Sequence, residues 1–138
     1  MKKVLLFVAE GLCGAITDTL AVRPDLVPLN CSQDLDNFYE LVQQHKPELV
    51  IMDTPYFGDL LAKFSAYHLA GVKQILLLAE VDENIVKEAV LSGILGIILT
   101  KQINILPEVI EAVERGSVFL GAGILPGNLS YLTRSPHF

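Results

Sequence analysis

Residues Leu49 to Asp59 read LVIMDTPYFGD. Four apolar residues run straight into an aspartate, and a loop carrying Pro55 and Gly58 follows. A strand wetted on one face alternates apolar with polar residues. A run without alternation is what a strand covered on both faces requires. Asp53 then stands where the strand leaves the core. Two readings of it compete: a working carboxylate at the mouth of a site, or a polar residue closing a strand.

The same form recurs on either side. KVLLFV (Lys3–Val8), LVPLN (Leu26–Asn30), QILLLA (Gln74–Ala79) and GIIL (Gly96–Leu99) are short, mostly apolar runs. Pro28 marks the second of them as an edge strand. Between the strands the period changes to that of a helix. Leu12, Ile16 and Leu20 share one face of a helix that Pro24 should end. A second helix from about Ser32 stripes Leu35, Phe38, Leu41 and Val42, with Asp34 and Asp36 in its first turn. A third carries Leu61, Phe64 and His68 and runs to Gly71. A fourth turns Ile85, Val86, Ala89 and Val90 inward and stops at Gly93. Pro107 opens the last, with Val109, Ile110 and Val113 inward and Gly116 as its cap.

Five β-then-α units with buried strands give an α/β fold: a doubly wound, five-stranded parallel sheet in a three-layer α/β/α sandwich. The expected strand order is the flavodoxin-like 2-1-3-4-5.

The 138 residues suffice for one domain, and 51% of them are hydrophobic, so a sizeable core is within reach. No apolar run approaches a membrane span. The opening run meets Glu10 before any cleavage-type site, which reads as a strand of a cytoplasmic protein rather than a signal peptide. A net charge of −6 argues against this chain gripping nucleic acid itself. Cys13 and Cys31 lack metal-ligand spacing and are expected as reduced, packed thiols.

In sheets of this order the functional crevice lies beyond the carboxyl ends of strands one and three. Glu10 and Asp53 should face each other there, with a lysine near the end of strand five. Two neighbouring carboxylates need a proton or a cation between them, and magnesium commonly uses one or two carboxylates plus water. EGLCGA (Glu10–Ala15) lacks the spacing of a dinucleotide loop. His45, His68 and His137 form no catalytic arrangement with a nucleophile and an acid.

PELVIMD (Pro47–Asp53), SGILGIIL (Ser92–Leu99) and LPEVIEAVERGSVFL (Leu106–Leu120) resemble the receiver domains of bacterial two-component response regulators, particularly the LuxR/NarL type. The likeness spans about residues 2–125 and implies a CheY-like fold. It also implies a signalling role in transcription regulation, and no enzyme activity beyond self-phosphorylation from a donor. Carried over residue by residue, it places the phospho-acceptor on Asp53. The metal-binding acids fall on Ala9 and Glu10, so a Mg²⁺ site would rest on Glu10 and Asp53 alone. The switch hydroxyl falls on Ala79, and the lysine falls on Thr100, with Lys101 one place later. Pro55 stands two residues after Asp53, where the family usually has its proline four residues on. These departures make a pseudo-receiver the leading expectation, with a conventional phospho-receiver behind it.

Residues 126–138 have the composition of a linker or tail, expected to lead to an output domain outside this chain. YLTR (Tyr131–Arg134) fits an aromatic-x-Thr-Arg motif by which some relatives bind cyclic di-GMP. Its position differs from theirs, and the linker reading outweighs it. The resemblance further implies homodimerisation, a sensor histidine kinase as partner, and DNA contact only through that output domain.

Overall fold

Parallel strands with helices on both faces form the architecture, seen in a computed structural model that describes residues 1–31, 38–53 and 71–124. The strands are β1 (Lys2–Phe7), β2 (Leu26–Cys31), β3 (Leu49–Asp53), β4 (Lys73–Leu78), β5 (Gly96–Leu99) and β6 (Phe119–Leu120). Their order is β2-β1-β3-β4-β5-β6, every neighbouring pair parallel. The expected order is therefore present, with β2 at an edge, and a sixth strand extends it. β6 is only two residues long and continues the ladder where Phe119 N–H donates to Leu95 O (2.7 Å) and Gly121 N–H to Ile97 O (2.8 Å). So short a strand carries no periodic signal, which is why five strands were expected.

The described helices are α1 (Glu10–Leu20), α2 (Phe38–His45), α3 (Glu83–Leu91) and α4 (Leu106–Glu114). Strand alternation sorts the core into two layers. Leu5, Phe7, Val50, Met52 and Leu76 pack with Phe38 and Val42 of α2 and Val86 and Ala89 of α3. Phe7 and Phe38 meet as tilted rings, 4.9 Å between centroids. Val4, Leu6, Leu49, Ile51, Ile75 and Ile98 pack with Ile16 and Leu20 of α1 and with Val109, Ile110 and Val113 of α4. β3 is buried at all five positions, as its unbroken apolar run requires.

Local chemistry accounts for the helix ends. Asp82 caps α3 by accepting from Asn84 N–H (3.0 Å) and Ile85 N–H (3.2 Å). Pro107 sits in the first turn of α4. At Gly96 a Cβ would stand 3.0 Å from both Ile75 Cγ1 and Val109 Cγ1, so glycine lets α4 lie close on the sheet.

Two expectations change, and one element is added. α1 ends at Leu20, earlier than Pro24 would dictate, in a turn closed by Ala21 N–H to Asp18 O and Arg23 N–H to Leu20 O. A 3₁₀ helix, Thr100–Ile105, lies between β5 and α4, a stretch to which the sequence reading assigns no element. Cys13 is held in a disulfide rather than as a reduced thiol, a bond that sequence spacing does not reveal. The first turn of the second helix (Asp34, Leu35, Asp36) and the third helix (Leu61, Phe64, His68) lie outside the described residues. So do Pro55, the tail 126–138 and its YLTR stretch. No helix among the described residues is long and apolar enough to cross a membrane.

Candidate functional site

The carboxyl ends of β1, β3, β4 and β5 lie side by side, and this alignment assembles the candidate site. β1 pairs with β3 as far as Phe7 and Met52, β3 with β4 as far as Asp53 and Leu77, and β4 with β5 as far as Leu78 and Leu99. The chain exits at Ala9, Asp53, Ala79 and Thr100 therefore form one row.

Asp53 is the buried polar residue of this row, 6% exposed. It shares a strand face with Leu49 and Ile51, which aims it toward the layer holding α1. Its Oδ2 accepts a hydrogen bond from Ala9 N–H at 2.9 Å, just before α1 begins. Its Oδ1 is buried and has no hydrogen-bond partner. Burial pushes the Asp53 carboxyl above its ordinary value of 3.8, and the opposing N–H groups of Ala9 and of Asp53 itself do not cancel that. Among the described residues no cation contributes to this balance.

Ala79, Thr100, Lys101 and Glu10 lie at this same end of the sheet, and among the described residues it is the Ala9 N–H that reaches Asp53. Ala79 is exposed and carries no hydroxyl. Thr100 spends its hydroxyl on the end of β4, Oγ1 donating to Leu78 O at 3.2 Å. Lys101 is exposed on the 3₁₀ turn, one residue past the strand-end position. Glu10 is the exposed first residue of α1. Among the described residues, no group of three or more His, Cys, Asp or Glu is close enough to hold a metal ion. A pair of carboxylates such as Glu10 and Asp53 would be thin for Mg²⁺ and would leave most of its shell to water.

Sequence reasoning missed the side chain that does most hydrogen bonding at this end. Gln102 Oε1 accepts from Leu99 N–H (2.8 Å), and its Nε2 donates to Ala122 O (2.9 Å). Nothing in the local sequence announces a glutamine bridging positions twenty apart.

A cavity of about 310 Å³ opens at the opposite, amino-terminal end of the sheet, lined by Lys2, Glu48, Lys73 and Glu114 over Val4, Leu26, Leu49 and Ile110. Its walls are largely self-satisfied. Glu114 takes hydrogen bonds from Lys2 Nζ and from Arg23 Nη1 (3.2 Å), and Arg23 grips Asp25 through Nε (3.0 Å) and Nη2 (2.7 Å). Lys73 Nζ donates to the Glu114 carbonyl at 2.5 Å. These groups pin the end of α4 to β1, to β4 and to the turn before β2.

Known structures share this architecture. A LuxR-family two-component response regulator from Aurantimonas sp. SI85-9A1 superposes with a TM-score of 0.72 at 14% identity, covering 89% of this chain and 91% of its own. The Salmonella typhimurium RcsB response regulator superposes at 0.77 and 18% identity, covering 99% of this chain and 73% of its own. The non-phosphorylated receiver domain of Escherichia coli RcsB gives 0.72 at 14% identity, with 86% and 97% covered. Identities this low establish the receiver-type fold alone. No protein-family model matches the sequence, and no curated protein sequence matches it as a relative.

Proposed function

We propose that this chain is a signal-transduction receiver module of a transcriptional regulator, working by docking a partner or a second copy rather than by routine phosphoryl transfer. The observation that carries the reading is Asp53 itself. It stands at the end of β3, where the resemblance puts the acceptor, buried and raised in proton affinity, with no cation beside it among the described residues. Phosphoryl transfer depends on positioned positive charge to neutralise the transferring group. Ala9 in place of an acid takes away a ligand that would hold a metal cation, and Thr100 in place of a lysine takes away a cation directly; one lost electrostatic donor costs about 3 kcal/mol in well-studied sites. Ala79 adds that a phosphoryl group would find no hydroxyl to report it.

A second reading has its own support. The unpartnered Asp53 Oδ1 is the kind of atom that a water, a metal ion or a phosphoryl group satisfies. On that reading Asp53 is a conventional acceptor, Glu10 and Asp53 share a weakly held Mg²⁺, and Lys101 swings back from its turn. A sensor kinase would then be the partner. In both readings DNA is reached through a separate output domain, and the protein acts in the cytoplasm.

Incubation with Mg²⁺ and acetyl phosphate, followed by intact-mass measurement, separates the two. The first reading expects an unmodified mass. A stoichiometric phosphoryl adduct that disappears in Asp53→Asn overturns it. Sedimentation velocity over a concentration series then tests for the second copy.

A further inference from the structure

We propose that Gln102 is a latch. It ties the segment Phe119–Ile124 to the carboxyl end of β5, so that displacement at the Thr100 corner is handed to the segment that carries the chain onward. The inference rests on the fold and its hydrogen bonds, and it stands whether or not Asp53 is phosphorylated.

Gln102 is the one residue inside the Thr100–Ile105 turn with non-helical backbone angles, φ −103° and ψ 15°. That kink lies where both ends of its amide are engaged. Oε1 takes the N–H of Leu99, the last residue of β5, and Nε2 gives to Ala122 O. An amide is suited to this task because it accepts at one atom and donates at the other. Two residues earlier, Thr100 Oγ1 binds Leu78 O at the end of β4. The ends of β4 and β5 and the outgoing segment are thus laced together by two side chains of one short turn. β4 in turn pairs with Asp53 through Leu77.

The outgoing segment is built to receive the latch. A Cβ at Gly121 would stand 2.3 Å from Gln102 Oε1, so only glycine admits the amide at that distance. Gly121 N–H holds Ile97 O, Ile124 N–H holds Gly121 O at 3.1 Å, and Ile124 is fully buried in the core layer that includes Leu99. β6 itself is two residues long, too short to hold its register alone. The side-chain bridge supplies the fixing that the backbone ladder lacks.

Hydrogen exchange on the full chain, read by mass spectrometry, tests this. Gln102→Ala removes both bonds and should speed exchange across residues 119–124 by about fivefold, the effect of one net hydrogen bond, leaving β1, β3 and β4 protected as before. Gln102→Glu keeps an acceptor for Leu99 but cannot donate to Ala122, so it should loosen 119–124 while the β5 end stays protected. Gly121→Ala should displace the amide and reproduce the Gln102→Ala pattern with the glutamine still present. Thr100→Val should speed exchange at 119–124 in the native background and add nothing in Gln102→Ala, the non-additivity expected of one connected device. Unchanged exchange at 119–124 in the Gln102 variants overturns the latch. Additive effects of Thr100→Val and Gln102→Ala overturn the coupling. Acceleration spread evenly through β1, β3 and β4 shows general destabilisation instead and equally overturns it.

Discussion

The two ends of this sheet treat a carboxylate in opposite ways. At the amino end, burial would raise Glu114, but hydrogen bonds from Lys2 and Arg23 outweigh it and hold the carboxyl below its ordinary 4.5. Arg23 holds neighbouring Asp25 down at about 2. At the carboxyl end Asp53 has two N–H groups and, among the described residues, no cation, and burial pushes it up. What differs is the company each carboxylate keeps. Lys2, Arg23 and Lys73 all serve the end that closes the fold, and among the described residues the Asp53 end is left with an exposed Lys101. An acid closing its fold is matched with cations. An acid kept buried without one stays energetically available to a proton, a metal ion or a phosphoryl group.

Breaking the amino-end network should give the largest stability effect. Glu114→Ala takes the hydrogen-bond acceptor from Lys2, leaves Arg23 with Asp25 alone, and releases the end of α4 from β1. Charged hydrogen bonds contribute about 1.5–3 kcal/mol, and partial solvent exposure lowers that to a loss of about 1–2 kcal/mol, measurable as a lower urea midpoint with unchanged slope. The pH dependence has a definite sign. Because Glu114 and Asp25 are depressed in the fold, the stability they supply is complete above about pH 4.5 and drains away as pH falls through their native values, near 2 for Asp25. Glu114→Ala should therefore flatten the acid limb of the stability curve. An unaltered acid limb would mean that the network is ornamental.

At the other end the same experiment should change sign. Asp53→Asn keeps an acceptor for Ala9 N–H while removing a buried charge that lacks a partner. It should stabilise the protein at pH 7 by about 1 kcal/mol, the lower end of the cost of an unsatisfied buried polar group. Since Asp53 is raised in the fold, its favourable protonated contribution is present below 3.8 and is lost as pH rises through the native value. The advantage of Asp53→Asn over the native chain should accordingly shrink toward zero as pH falls to about 3.8. A destabilised Asp53→Asn at pH 7 would show that a cation reaches Asp53 after all.

The two ends also differed in how far the sequence revealed them. Unbroken apolar runs such as LVIMD can be satisfied only between two helical layers, so the sheet, its order and the place of Asp53 were legible, and the helix caps at Asp82 and Pro107 are local chemistry. The amino-end network was not, because Glu114 lies 91 residues from Arg23 and neither residue type announces the pairing. Gln102 was invisible for the same reason, and β6 because two residues carry no period. At the candidate site, the resemblance to receivers drew attention to Ala9, Ala79 and Thr100. It did not reveal that Thr100 has found new employment on Leu78.

That employment suggests the smallest effect and the sharpest test. If Asp53 is raised because the strand-five position holds no cation, Thr100→Lys should supply one, at the cost of the bond to Leu78 O. The direct stability change should be close to zero, since a lost neutral hydrogen bond of about 1 kcal/mol is offset by a new attraction to Asp53. The informative quantity is the coupling. In the Thr100→Lys background, Asp53→Asn should lose about half of its stabilising effect at pH 7, a shift of roughly 0.5 kcal/mol read from a double-mutant cycle in urea. Additive effects would mean that the lysine side chain turns to solvent, as Lys101 does. The orientation of the side chain at position 100 would then be set by the backbone at the end of β5 rather than by the residue that stands there.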